Sequence, residues 1–189
     1  MGALNNKYIG ILGGTFDPPH EGHVFISKYA LKRLGLKEVW WIVTQKNPLK
    51  FKSSDYKIRL DLAKKFLDDR NIKVVEVDEM KNLYAIDTIF YLKEKFKNKK
   101  FIWLMGADNI ENLHLWKQWK EIFYNIPIAI FDRPSYSLNI TKSKALLFFR
   151  KARIKNFLLE KTQKISLPMW SFISGPKNNK SSSRLRKNR

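Results

Sequence analysis

The 189-residue chain is predicted to fold as an α/β protein, a doubly wound parallel sheet with helices on both faces. Three observations lead to this. Short aliphatic or β-branched runs alternate with segments of helical spacing. The first apolar run stops at a Gly pair, and a loop and a helix follow that pair directly.

Taken in order, Tyr8 to Leu12 form a compact apolar run ending at Gly13-Gly14, the pattern of a buried parallel strand that stops where backbone must approach something closely. After Pro18-Pro19, the residues Val24, Phe25, Ala30, Leu31 and Leu34 recur at helical spacing, and Gly35 ends the helix. A β-rich run from Val39 to Val43 comes next. A helix is expected over Tyr56 to Leu67, with Ile58, Leu62, Phe66 and Leu67 on one side, then a strand over Ile72 to Val77. Helix returns from about Ile86 to Phe96 and strand from Phe101 to Met105. A broken helical stretch with Trp116 and Trp119 then precedes a strand over Ile128 to Phe131. The result is five β/α alternations, which imply parallel pairing and helices on both faces.

From Arg133 onward the pattern weakens. A helix is expected near Ser143 to Lys151, with short apolar runs near Phe157 and Met169 and then a tail rich in Gly, Pro, Asn, Ser and Lys. The tail reads as disordered by composition, and Ser181-Ser182-Ser183 ahead of Arg184-Leu185-Arg186 reads equally as a helix N-cap carrying an anion site. No internal repeat is present. Residues 1–189 are read as one domain, with 174–189 as a mobile C-terminal phosphate-binding segment.

A chain of this length buries about 70% of the surface its unfolded form exposes, so neither disulfide nor metal is needed to hold it together. Cysteine is absent, which excludes disulfides, thiolate metal sites and a cysteine nucleophile and makes the cytoplasm the expected compartment. No apolar run approaches the roughly 18 residues of a membrane span, so no membrane partner is expected. The formal net charge is +20, which points to polyanionic partners without choosing among nucleic acid, anionic membrane and phosphorylated metabolites. Runs such as Lys97-Asn98-Lys99-Lys100 read as solvated surface.

The chemistry is concentrated in Gly13-Gly14-Thr15-Phe16-Asp17-Pro18-Pro19-His20-Glu21-Gly22-His23. The carboxyl end of a strand in an open α/β sheet is where ligands bind, and a helix N-terminus within reach favours an anion, so phosphate is the expected guest. The segment matches neither Gly-x-Gly-x-x-Gly nor Gly-x-x-x-x-Gly-Lys-Ser/Thr, which disfavours a dehydrogenase or a P-loop kinase. His20 and His23, three residues apart, share one face at the start of a helix and both can donate to phosphate oxygens. His-Glu-Gly-His is not His-Glu-x-x-His, and no third ligand is evident nearby, so no resident metal is expected.

This segment is similar to the signature of the nucleotidyltransferase superfamily that contains the bacterial nicotinate-nucleotide, phosphopantetheine and glycerol-phosphate enzymes. Tyr84-Ala85-Ile86-Asp87-Thr88 resembles the Tyr-x-Ile-Asp-Thr element of the nicotinate-nucleotide adenylyltransferases, and Met105-Gly106-Ala107-Asp108 resembles their Gly-Ala-Asp element after a strand. Asn47-Pro48-Leu49-Lys50 looks like a reduced form of their Pro-rich loop ending in Lys, and Arg133-Pro134 matches the Arg-Pro after the fifth strand. Ser182, Ser183 and Arg186 resemble a C-terminal Ile-Ser-Ser-Thr-x-Ile-Arg motif, with Lys180 in place of the leading Ile and Ser183 in place of Thr.

The resemblance spans nearly the whole chain and implies a Rossmann-like nucleotidyltransferase fold. It also implies adenylyl transfer from ATP to nicotinate mononucleotide, with Mg²⁺ carried by ATP and no specific nucleic acid partner. By the same resemblance His20 and His23 are the catalytic pair, and the ATP site comprises Gly13, Gly14, Thr15, Phe16, His20, His23, Lys50, Gly106, Asp108, Arg133, Ser182, Ser183 and Arg186. Nicotinate mononucleotide would meet Tyr84, Asp87, Thr88 and Trp116, with backbone N–H groups near Thr88 and Trp116 receiving its carboxylate. Phosphopantetheine adenylyltransferase is the nearest alternative, although those chains lack the Ile-Asp-Thr element and the Trp after Gly-Ala-Asp. A basic nucleic-acid-binding protein is the alternative from another class.

Overall fold

The structure, a computed structural model, describes residues 8–45, 53–77, 84–132, 143–155 and 166–175. Its sheet has six strands in the order β3-β2-β1-β4-β5-β6, all parallel. In chain order the elements are β1 (Tyr8–Gly14), α1 (Glu21–Leu34), β2 (Glu38–Val43), α2 (Tyr56–Phe66), β3 (Ile72–Val74), α3 (Ala85–Lys95), β4 (Lys100–Gly106), α4 (Trp119–Asn125), β5 (Ile128–Phe131), α5 (Lys144–Phe148) and β6 (Trp170–Ile173). The expected doubly wound sheet is therefore present, with a sixth strand where the sequence shows only a short apolar run beside Met169.

Burial on both faces explains why the strands read as unbroken apolar runs. Along β4, Phe101, Trp103 and Met105 enter one core while Ile102 and Leu104 enter the other. Ile9 and Ile11 oppose Leu12 in β1, and Ile128 and Ile130 oppose Ala129 and Phe131 in β5 in the same way. The first core is closed by Ile86, Ile89 and Leu92 of α3, by Ile122 and Phe123 of α4, and by Ala145 and Leu146 of α5. The second is closed by Ile26, Ala30 and Leu34 of α1 and by Leu60 and Ala63 of α2.

Strand order reverses between β1 and β4. At such a switch point the loops leaving the two carboxyl ends diverge to opposite faces and open a crevice. The loop after β1 leads to α1 on one face, whereas the 3₁₀ turn Ala107–Asn109 after β4 belongs to the face of α3 and α4.

One sequence expectation is corrected in α2. Ile58, Leu62 and Phe66 recur every fourth residue and look like the core face, yet all three are exposed. The inward stripe is Tyr56, Leu60, Ala63 and Leu67, also helically spaced, with Arg59 beside it and 1% exposed. Periodicity alone does not choose between two interleaved stripes; a buried arginine with many acceptors in reach decided this one. Leu60→Ala should therefore destabilise the protein by roughly 2–5 kcal/mol, while Leu62→Ala should cost under about 0.5 kcal/mol, as read by chemical denaturation. Equal costs would contradict the assigned helix face.

Candidate active site

At the carboxyl end of β1 the chain makes a tight turn, with Phe16 in the left-handed region at φ 48°. For a bulky L-residue this conformation costs about 1–2 kcal/mol, and burial of the Phe16 ring offsets it. The ring is wholly buried and stacks on Trp41 at 4.7 Å and 19°. On its other side it meets His23 at 4.6 Å. The Trp41 indole N–H donates to Ser27 Oγ at 2.8 Å, and that hydroxyl donates to the His23 carbonyl at 2.9 Å. Core packing thus extends without a break up to the histidine pair.

His20 is the N-cap of α1. Its Nδ1 accepts the Gly22 N–H at 3.0 Å, and His23 Nδ1 accepts the His20 N–H at 3.2 Å. The two rings stack 3.8 Å apart. Because each Nδ1 is an acceptor, each neutral ring carries its proton on Nε2. The sequence expectation of two convergent imidazoles at a helix start is met in this geometry, and the helix dipole adds partial positive charge at the same place.

Three loops are held together by Arg59. Its Nε donates to the Ser54 carbonyl at 2.8 Å, one terminal nitrogen donates to the carbonyls of Thr15 and Thr44 at 2.8 Å each, and the other donates to Gln45 at 2.7 Å. Burial draws the guanidinium pKa below its ordinary value, with Asp17, Tyr56 and Asp55 opposing the shift. Asp17 completes the tie by accepting the Ser54 N–H at 3.0 Å and the Ser54 hydroxyl at 2.9 Å. Neither Arg59 nor Ser54 is singled out by the sequence analysis. The available signal was the alternative stripe in α2, which puts Arg59 on the inner side.

Gly13 has a steric reason to be glycine that differs from the one expected. A Cβ there would lie 2.7 Å from Cη2 and 2.9 Å from Cζ2 of Trp103, so the residue makes room for an indole as well as exposing its backbone. At Gly14 a Cβ would reach Phe16 no closer than 3.4 Å.

On the opposite face, Tyr84 is the N-cap of α3, and Thr88 is buried with its hydroxyl donating to the Tyr84 carbonyl at 3.2 Å. Trp116 ends the short 3₁₀ turn Leu113–Leu115 and packs, with Tyr84, against the core beneath. Lys117, which the sequence analysis does not mention, joins the two: its ammonium lies 3.4 Å from Asp87 and 4.6 Å from the centroid of the Tyr84 ring. Tyr84, Asp87, Thr88 and Trp116 are thus brought into one region. The backbone amides of Thr88 and Trp116 themselves donate to Tyr84 and Leu113 at 3.1 and 3.2 Å. Among the neighbouring amides, those of the first turn of α3 have no intrahelical acceptor.

Asp108 sits inside the turn after β4, whose N-cap is Gly106, so it does not take the capping position. Trp119 packs edge-on against Phe123 and Phe149, consistent with a core role. Lys50, Arg133, Ser182, Ser183 and Arg186 lie outside the described residues. Among the described residues, no three or more His, Asp or Glu side chains gather as a metal site, and no helix is long and apolar enough to cross a membrane.

Replacing Arg59 with Leu would leave four carbonyls without their buried donor. The expected loss is about 3–5 kcal/mol in urea denaturation, a large share of a typical domain's stability. A loss under about 1 kcal/mol would show that the guanidinium is dispensable to the loops.

The cytidylyltransferase-like family model matches residues 11–188. A protein of Agrobacterium fabrum named "probable nicotinate-nucleotide adenylyltransferase" is 38% identical over 183 residues, 95% of this chain and 98% of its own. A Ruegeria protein of the same name is 35% identical over 95% of this chain and 96% of its own. Among solved structures, Plasmodium falciparum nicotinic acid mononucleotide adenylyltransferase, complexed with NaAD, is similar with a TM-score of 0.73. That likeness covers 96% of this chain and 83% of the other, and at 18% identity it speaks for the fold alone. A catalytic loop built on two stacked histidines and a six-stranded sheet of matching topology thus coincide with close kinship in sequence: the chain belongs to the cytidylyltransferase-like family and, within it, to the nicotinate-nucleotide adenylyltransferases.

Proposed function

We propose that the chain carries out the reaction of its family through direct in-line transfer, with His20 and His23 as the catalytic donors. The observation that carries this is the reciprocal anchoring of the two imidazoles through Nδ1, which assigns an N–H to each Nε2. The phosphate of nicotinate mononucleotide attacks the α-phosphorus of ATP, a bond forms between that phosphate oxygen and phosphorus, and the bond to the β-phosphate oxygen breaks. The products are deamido-NAD and pyrophosphate.

A phosphate monoester has a second pKa near about 6, so the nucleophile is already ionised at neutral pH and no general base is needed. Catalysis is then positioning together with stabilisation of charge that develops on the phosphoryl oxygens. His20 and His23 donate there, next to the positive end of α1. ATP enters as its Mg²⁺ complex, the ion being held by triphosphate oxygens. The backbone of Gly13, Gly14, Thr15 and Phe16 lies along the triphosphate, and Gly106 and Asp108 meet the adenosine ribose, whose two hydroxyls suit one carboxylate.

Lys50, Arg133, Ser182, Ser183 and Arg186 belong to the same proposal as further phosphate contacts, supported by their resemblance to family motifs. On the acceptor side, Trp116 stacks on the pyridine ring, and Tyr84, Asp87 and Thr88 line its surroundings. A cytoplasmic setting and a single functional domain over 1–189 complete the proposal; the cysteine-free composition supports the former.

His20→Ala should lower kcat roughly 10²–10³-fold while changing ATP affinity far less. His20→Asn separates chemistry from folding, because Asn retains the N-cap and loses the Nε2 donor; its melting temperature should stay near wild type while kcat falls like that of the Ala variant. An unchanged kcat would overturn the assignment. Pyrophosphate release with the two mononucleotides tests the acceptor: nicotinate should be used at least about tenfold better than nicotinamide, as one charge-assisted hydrogen bond suffices to give. Equal rates would contradict it.

A further inference from the structure

We infer that the indole N–H of Trp103 is a substrate-binding donor that receives the nicotinate carboxylate and so helps to select the acid over the amide; this rests on the acceptor proposed above. Trp103 lies in β4 opposite Ile11 of β1 and is 2% exposed. Its Nε1 is buried with no hydrogen-bond partner among the described residues. The other buried tryptophans all donate: Trp40 to Glu38 at 2.7 Å, Trp41 to Ser27 at 2.8 Å and Trp170 to the Phe149 carbonyl at 2.8 Å. Buried donors are rarely left unpaired, and an unpaired one at a binding edge calls for a ligand that pairs it.

The direction of the ring says where that ligand lies. Although Trp103 is in register with Ile11, its Cη2 and Cζ2 reach the space above Gly13, two residues nearer the carboxyl end of β1. Cζ2 is bonded to the ring carbon that carries Nε1, so the N–H edge of the indole leans toward the carboxyl edge of the sheet, at the β1/β4 switch point. That face belongs to the same core against which Tyr84, Ala85 and Trp116 pack. A flat aromatic ring stacked on Trp116 would therefore have its substituent near the Trp103 side of the crevice.

The chemistry favours a carboxylate. The site offers a neutral donor among apolar neighbours Ile11, Ile86, Met105 and Ala107, where a hydrogen bond to an anion is about twice as strong as one to a neutral amide. The backbone amides of Thr88 and Trp116 already have acceptors within the chain, so the donor must come from elsewhere. Gly13, by making room for the indole, supports substrate selection as well as phosphate approach.

Trp103→Phe keeps an aromatic ring and removes only the N–H and part of the indole. With pyrophosphate release as the readout, KM for nicotinate mononucleotide should rise about tenfold, the usual worth of a hydrogen bond to a charged group. KM for ATP should be unchanged and the acid-over-amide preference should shrink by a similar factor. An unchanged KM and preference in a folded variant would overturn the inference while leaving the family reaction standing. Wild-type protein that releases no pyrophosphate from ATP and nicotinate mononucleotide would overturn both. Should the variant fail to fold, ¹⁵N-tryptophan spectra of the wild-type chain decide: the Trp103 indole resonance should move downfield with nicotinate mononucleotide and much less with nicotinamide mononucleotide. A resonance unmoved by the acid would refute it.

Discussion

Four carbonyl groups from three separate loops converge on one buried guanidinium, and the geometry of the catalytic loop depends on it. Loop carbonyls at the carboxyl edge of a parallel sheet have no neighbouring strand to satisfy them, and leaving them buried and unpaired would be costly. Arg59 meets that need with a planar fork of fixed donors, a task a lysine's single ammonium performs poorly. Asp17 and Ser54 then close the connection between the catalytic loop and the start of α2. A charged group inside the fold is kept here for what it positions, since a loop that shifted by an ångström would misplace the histidines.

The second constraint is aromatic. Phe16 occupies a left-handed backbone conformation only because its ring is held between Trp41 and His23. The histidine pair thereby rests on the hydrophobic core, and its rings cannot turn without disturbing Phe16. Preorganisation of this kind lets hydrogen-bond donors act on developing charge without reorganising at the moment of reaction.

Division of labour follows the two faces of the sheet. Phosphate chemistry sits with α1 on one face and acceptor recognition with α3 and the Trp116 turn on the other; they meet where β1 and β4 part. Trp103 and Gly13 are the point of contact, one filling the space the other leaves. Lys117 tightens the acceptor side by pairing with Asp87 against the Tyr84 ring. Its ion pair is partly exposed and adds little stability, yet it holds two segments in a fixed relation.

How much of this was legible in the chain differs by kind of residue. The alternation of apolar runs and helical spacings determined the doubly wound sheet, because a strand buried on both faces and an amphipathic helix each impose a local period. The Gly pair, the two histidines and the Ile86-Asp87-Thr88 and Gly106-Ala107-Asp108 elements were readable because they are contiguous and chemically distinctive. The inner face of α2, the sixth strand, the clamp of Arg59, the link through Lys117 and the unpartnered indole of Trp103 were decided only by tertiary structure. Each depends on which distant groups meet: carbonyls 44 positions apart in sequence from their donor, or a ring that leans over a glycine of another strand. Local spacing carries no information about such encounters, since they are set by how two faces of one sheet close around their cores.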